Sequence, residues 1–510
     1  MTIRLTGGPL SMDDVVAVAR DDATVEIAEA TLAALDAQRR GIESHVASGR
    51  PVYGVSTGFG SLATTFIAVD RRTDLQRSLI RSHAASVGDE VEREVVRAMM
   101  ACRLKTLCSG VTGVRPSTAL AYADLLNHGL TPVVYEFGSL GCSGDLAPLA
   151  HVALALMGEG DVRTADGTRM PAADALRLEG LEPVELREKE GLALINGTDG
   201  MLGMLILALR DGSDLLQIAD VTATVSVQAL RGTDRVFAAD LQALRPHVGQ
   251  RVSAANFRRL LAGSPIVADH ADDTVQVQDA YSLRCAPQVH GAARDTFAHA
   301  AAVAAIELAS AIDNPSVLPD GRLESNGNFH GAPVAYAMDF LAIVLADVAS
   351  IAERRTDRFL DPSRNYGLPA FLADQPGVDS GYMIAQYAQA ALVSEMKRLA
   401  SPASVDSIPS SAMQEDHVSM GWHAGRKLRR SIDALRRVLA IELLVATRAM
   451  ALRAPLAGSP SADALVAAMA GLGLGPGPDR YVAPQIALVE TFLKDGAWRD
   501  AIAGTVEPLE

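Results

Sequence analysis

Along much of the chain, apolar residues recur three and four positions apart, the spacing of one face of an α-helix. Val25, Ala28, Leu32, Leu35, Ile42 and Val46 carry this pattern through the first fifty residues, and Gly49 closes the run. Ser11 and Asp14 have capping-box spacing ahead of Val15, Val16 and Val18, which predicts an earlier helix start. Another helix is expected near Asp74, with Leu75, Leu79, Ile80 and His83 on one face. The intervening stretch 53–60, YGVSTGFG, reads as a tightly folded glycine-rich loop. From about Met201 the periodic segments lengthen, and long helices are expected over 286–312, 334–353 and 416–453. In the last, Leu428, Ile432, Leu435, Leu439 and Ala446 mark one face, and 438–446 is apolar nearly all round except at Glu442. A helix apolar on every side is a buried one. Strand signals are few: 132–136 (PVVYE) predicts a short strand, and Asp166-Gly167 and Asp320-Gly321 predict hairpin turns. The glycine-proline cluster 471–478 separates the last helices. The expected fold is mainly α, with a long-helix bundle over 201–510 and a smaller α+β head over 1–200.

Composition narrows the function. Of 510 residues, 49% are hydrophobic but only 4% aromatic, so Ala, Leu, Val, Ile and Met must fill the core. Sixty-one acidic against 46 basic side chains give a net charge of −15, which argues against a sequence-independent nucleic-acid binder. The balance suits a soluble protein with a small-molecule substrate. The N-terminal MTIRLTGGPLSMDD shows no charged segment followed by an apolar core, and the apolar run 201–209 is too short to span a bilayer. A cytoplasmic protein without membrane contact is expected. The cysteines, Cys102, Cys108, Cys142 and Cys285, form no C-x-x-C pair or zinc spacing, so reduced thiols at all but Cys142 and no metal are expected.

The segment 138–151 reads GSLGCSGDLAPLAH. A Gly/Ser run precedes a helical pattern starting near Asp145, with Asp145 as candidate cap and Pro148 in the first turn. Cys142-Ser143-Gly144 would then sit at the positive end of a helix dipole, where negative charge is stabilised. Composition alone favours a structural turn.

The whole string resembles the signature of the aromatic amino-acid ammonia-lyases, and the resemblance runs over nearly the full chain. It implies that Cys142, Ser143 and Gly144 cyclise autocatalytically to 4-methylideneimidazol-5-one (MIO), borne by the N-terminal head. The residue types make chemical sense. Gly144 supplies an unhindered amide nitrogen to attack the carbonyl of Cys142, and Ser143 loses its hydroxyl to leave an exocyclic methylene. An electrophile of this kind helps expel a poor amine leaving group, and a base and electrostatic positioning supply the rest.

The resemblance also implies roles elsewhere. Tyr53 matches the family's proposed base for the β-proton. His83, in SHAAS, matches a residue that meets the substrate side chain. Asn196, in GLALINGT, matches one that contacts the substrate carboxylate region and the cofactor. Gln278, Tyr281 and Arg284, in QDAYSLRCAPQVHG, are spaced by three, as on one helical face or tight turn. Arg284 would pair with the substrate carboxylate, and Tyr281 would assist proton transfer. Phe329 matches a ring packed near the cofactor. Each has a structural alternative: a loop ring for Tyr53, a core histidine for His83, an Asn-Gly turn for Asn196, a surface network for the trio and a core aromatic for Phe329.

Glu415, in SIPSSAMQEDHVSMG, bears on the substrate. The histidine-specific branch carries Glu here, where the phenylalanine and tyrosine branches carry Gln or another residue. A carboxylate holds an imidazole N–H and is ill matched to a benzene ring; the alternative is an acidic residue in a helix's first turn. The expected reaction is elimination of ammonia from L-histidine to give trans-urocanate. Competing readings are another MIO enzyme (tyrosine or phenylalanine ammonia-lyase, or a 2,3-aminomutase) and an inactive helical scaffold. The family further implies a homotetramer with active sites shared between subunits. Cys142, Ser86, Asp199 and Met413 depart from its commonest pattern of Ala, Gly, Gln and Asn.

Overall fold

The computed structural model describes residues 1–47, 56–270 and 277–510, without the side chains of 45–47. The fold is mainly α, and its chain divides into two compact units. The first comprises Met1–Ala208, Ala300–Asp339 and Pro402–Arg426; the second comprises Leu209–His299, Phe340–Ser401 and Lys427–Glu510.

In the first unit, the Ser11 hydroxyl accepts from the Asp14 amide and the Asp14 carboxylate accepts in return, completing the expected capping box for the helix Met12–Arg20. The run from Val25 does not begin as a helix. Thr24–Ile27 is a strand paired in parallel with Thr2–Leu5, and the helix starts only at Glu29. β-Branched Thr24, Val25 and Ile27 suit a pleated pairing, and the Asn127 side chain bonds both backbone groups of Val25. The expected strand at 132–136 is split into two pieces, Thr131–Pro132 and Tyr135–Phe137, which pair with different partners. Both expected hairpins form, with Gly167 and Gly321 in the left-handed region at their turns. The helix Arg93–Leu107 is buried along almost its whole length, and Leu146–Leu156 buries Ala147, Leu149, Ala150, Val152 and Ala153. Small side chains fill this core where rings are scarce.

The long helices are Asp199–Ala229, Ala286–Ala309, Ala332–Leu360 and Gly421–Leu452. Ala332–Leu360 has the length and composition of a membrane span, yet 61% of its most apolar window is buried inside the protein, as for a core helix. In the second unit, Glu442 interrupts the apolar stretch 438–446 because it has a full set of buried partners. The Arg355 guanidinium donates to both its oxygens, at 2.5 and 3.0 Å, and the hydroxyls of Thr222 and Ser226 donate at 2.8 Å. A buried charge is tolerated when paired and hydrogen-bonded in this way. Helices Pro460–Gly471 and Val482–Lys494 flank the 471–478 breaker.

Candidate active site

Ser143 lies on the loop that precedes the helix Leu146–Leu156. That loop is pinched closed at its base. The Ser139 hydroxyl donates to Asp145 Oδ1 at 2.9 Å, and the Gly141 amide donates to Ser139 Oγ. Asp145 occupies the cap position but makes no side-chain cap bond, contrary to expectation. Its Oδ2 accepts instead from the Met201 amide, in the first turn of Asp199–Ala229, at 2.8 Å. Two helix N-termini therefore converge at one carboxyl, with their positive ends toward the loop. Asp145 is fully buried, and loss of solvation pushes its carboxyl up to about 7 despite these donors.

Gly144 is the point of closest approach. Its φ is +77°, its neighbour's amide (Asp145) donates to the Gly197 carbonyl at 2.7 Å, and a Cβ added to it would stand 2.0 Å from that carbonyl oxygen. No residue but glycine fits. The triplet thus has the sharp bend, the unhindered nitrogen and the hydroxyl-bearing centre that cyclisation needs. On these grounds Cys142, Ser143 and Gly144 fit the MIO group. The Cys142 thiol, largely buried and near Glu415, is pushed up to about 12 and stays protonated.

Asn196 follows the helix Glu190–Ile195, and its backbone is fixed by a buried guanidinium. Arg103 donates to the Asn196 carbonyl, the Asp199 carboxylate and the Ile312 carbonyl, at 2.9, 3.0 and 3.1 Å. This pairing accounts for Asp199. The Asn196 amide nitrogen donates to the Asn314 carbonyl at 2.8 Å, which fixes which end of the amide is which. The other end, Oδ1, is buried without a partner among the described residues.

His83 ends the helix Arg72–His83. Its Nδ1 meets the Leu79 carbonyl at 2.9 Å, so Nδ1 carries the proton and Nε2 is left as an acceptor. Burial holds its pKa below the ordinary value, with the Leu79 bond and the Glu415 charge opposing.

Glu415 was expected in the first turn of the last long helix, but that helix begins at Gly421. Glu415 sits instead on a tight hairpin. Its amide and carbonyl exchange hydrogen bonds with those of Ser410, and Ser411, Ala412 and Met413 between them have φ of 50°, 51° and 70°. Three contacts tie the following segment to the Ser143 loop. Met420 N–H donates to the Leu140 carbonyl, Ser419 Oγ to the Gly141 carbonyl, and the buried Trp422 indole to the Glu136 carbonyl, at 2.9, 2.9 and 2.7 Å. The result brings Glu415 Oε1 to 3.4 Å from Ser143 Oγ.

Ser143, His83, Asn196 and Glu415, dispersed over more than three hundred positions, line one cavity of about 480 Å³. Phe59, Ile67, Leu75, Leu79 and Leu192 give it an apolar wall. Its size suits a small amino acid. Among the described residues, not all of the expected ones line it. Tyr53 lies outside the described residues. Phe329 is half-buried just ahead of the helix Ala332–Leu360. Gln278, Tyr281 and Arg284 belong to the second unit. There Tyr281 opens a four-residue helix ending at Arg284, Gln278 precedes it, and the guanidinium stacks 4.8 Å from the exposed Tyr281 ring. Sequence reasoning missed Arg103, Asn314 and the tertiary role of Asp145. An Arg within the nearly all-buried pattern of 93–107 was the one available signal.

A family model described as aromatic amino acid lyase matches residues 10–470. A protein from Streptomyces avermitilis named histidine ammonia-lyase is 62% identical over 501 residues, covering 98% of each chain. Among solved structures, a tyrosine aminomutase from Streptomyces globisporus superposes with a TM-score of 0.95 at 39% identity, covering all of both chains. A histidine ammonia-lyase from Trypanosoma cruzi does so with a TM-score of 0.91 at 38% identity, covering 99% of this chain and 96% of its own.

Proposed function

This chain belongs to the aromatic amino acid lyase family, and on that premise we propose that it eliminates ammonia from L-histidine to give trans-urocanate, the first step of histidine degradation. It is a C–N lyase acting on a small molecule. The observation that carries the choice of substrate is Glu415 facing the same cavity as Ser143.

MIO, formed from Cys142-Ser143-Gly144 with loss of two waters, would supply the electrophile that makes amine departure feasible. The chain's own groups do the rest. Glu415 is an acceptor for the substrate imidazole N–H, and neutral His83 offers Nε2 beside it. The unpartnered Oδ1 of Asn196 suits an ammonium N–H better than a carboxylate, because two acceptors repel. The apolar wall excludes water and strengthens these contacts. Tyr53 or Tyr281 removes the β-proton, Arg284 with Gln278 holds the substrate carboxylate, and Phe329 packs near the cofactor. The proposal includes a homotetramer with shared active sites. Exposed Tyr281 and the Arg284 stacked on it are available to a neighbouring subunit. A cytoplasmic location fits four free cysteines.

The likeness to a tyrosine aminomutase makes retention of ammonia the specific second reading. Incubating the purified protein with L-histidine, L-tyrosine and L-phenylalanine, with absorbance and product identity followed, separates the two. Urocanate from histidine alone is expected. A β-amino acid product favours the mutase, and no turnover of any substrate contradicts both.

A further inference from the structure

We propose that Ser410 is a positioning residue that aims Glu415 at the substrate ring, an inference that rests on the reading of Glu415 given above. The terminal torsion of a glutamate is soft, so a carboxylate held by one oxygen has a fixed direction and a free one does not. Here the Ser410 hydroxyl donates to Glu415 Oε2 at 2.9 Å, while Oε1 faces Ser143 in the cavity. One oxygen is thereby anchored, and the other, which accepts from the Ser143 hydroxyl at 3.4 Å, is left to accept from substrate once that hydroxyl is lost.

The backbone serves the same end. Ser410 N–H donates to the Glu415 carbonyl at 3.0 Å, and Glu415 N–H donates back to the Ser410 carbonyl at 3.3 Å. This closes a loop whose Ser411, Ala412 and Met413 all adopt the left-handed region without a glycine among them. Such a conformation persists only where its surroundings enforce it. Burial of Met413 is not the enforcer, since its side chain is 67% exposed. The two-way backbone bridge and the hydroxyl–carboxylate bond, all between Ser410 and Glu415, close the turn. The backbone bridge therefore sets where Glu415 stands, and the Ser410 hydroxyl sets which way its carboxylate faces. A threonine keeps that hydroxyl; an alanine keeps the bridge and loses the aim.

The test compares Ser410→Ala, Ser410→Thr, Glu415→Ala and the Ser410→Ala/Glu415→Ala double variant, with L-histidine as substrate. Loss of a hydrogen bond to a charged acceptor predicts a fall of about tenfold in kcat/KM for Ser410→Ala, expressed mainly in KM. Ser410→Thr should remain near wild type, and Ser410→Ala should cost nothing further once Glu415 is gone. Unfolding midpoints and the mass of the 142–144 peptide report whether each variant folds and matures. A wild-type Ser410→Ala beside an impaired Glu415→Ala overturns the inference and leaves the role of Glu415 standing, as does an equal loss from Ser410→Ala in both backgrounds. A Glu415→Ala variant that matches wild type on histidine overturns the reading of Glu415 itself.

Discussion

The loop that carries Ser143 and the hairpin that carries Glu415 face one cavity, yet they are held in different ways. The first is buried at Gly141, Gly144 and Asp145, tied at its base through Ser139 and Asp145, and wedged against Gly197 so closely that no side chain fits at Gly144. The second is largely exposed; backbone bonds between Ser410 and Glu415 close its turn, and the Ser410 hydroxyl anchors the Glu415 carboxylate. On the function proposed above, the over-determined region is the one that would make the electrophile, and the lightly held region is the one that would meet the substrate side chain. Reaction class should therefore resist mutation except at a few positions where it collapses, whereas substrate preference should shift gradually. A family match spanning 10–470, with both a histidine lyase and a tyrosine aminomutase among its similar folds, has the form that division predicts.

The largest effect should come from Ser143→Ala. It removes the hydroxyl proposed to leave in forming the methylene, and turnover should drop on the order of a thousandfold or more while the unfolding midpoint stays in place. Retained turnover would erase the distinction between the two regions. Gly144→Ala comes next. A methyl at 2.0 Å from the Gly197 oxygen, on a left-handed backbone, should cost roughly 2–5 kcal/mol of stability, read by denaturant titration, and should block maturation of the triplet. On the hairpin, Glu415→Gln should lower kcat/KM for L-histidine by about 10–100-fold without lowering any trace activity on L-phenylalanine. An equal loss on both substrates would make Glu415 a structural residue.

The smallest effects are opposite slopes of stability with pH. Burial raises Asp145 to about 7 from an ordinary 3.8. Between those values the unfolded chain has released its proton and the folded one has not. The contribution of Asp145 is full below the ordinary value and is lost as pH rises through 7. His83 is lowered from 6.5, so its contribution is full above that value and is lost as pH falls toward its folded pKa. Denaturant midpoints from about pH 4 to 8 should show the falling component diminish in Asp145→Asn, with Asp124, Asp199, Asp279 and Glu307, also raised by burial, remaining, and the rising one diminish in His83→Gln. His151 and His290, also lowered by burial, add to the rising component and remain in both variants.

The two regions also differ in how far they could be read from the chain. The triplet is local chemistry: three adjacent residues between a Gly/Ser run and a helix, and its geometry follows from that order. The role of Asp145 is not local, because the amide it satisfies belongs to Met201, 56 positions on, and capping rules led to the wrong partner. The last long helix was expected from 416, through Glu415's neighbours, because 411–413 carry no glycine to signal a left-handed turn. The pairing of Ser410 with Glu415 closes that turn, and pairing leaves no periodic trace. The strand at Thr24–Ile27 was hidden for a similar reason, since its apolar spacing also fits the helix that follows it. Helix periodicity worked best where burial was nearly complete, as in Gly421–Leu452, and there Glu442 was the informative exception.

The most direct measurement is the mass of the peptide spanning Cys142 to Gly144 in freshly purified protein. The expected mass is that of the encoded peptide less two waters, restored to its unmodified value in Ser143→Ala apart from the substitution itself. A wild-type peptide at its full encoded mass, in protein that turns over L-histidine, would contradict the assignment of the electrophile to this loop.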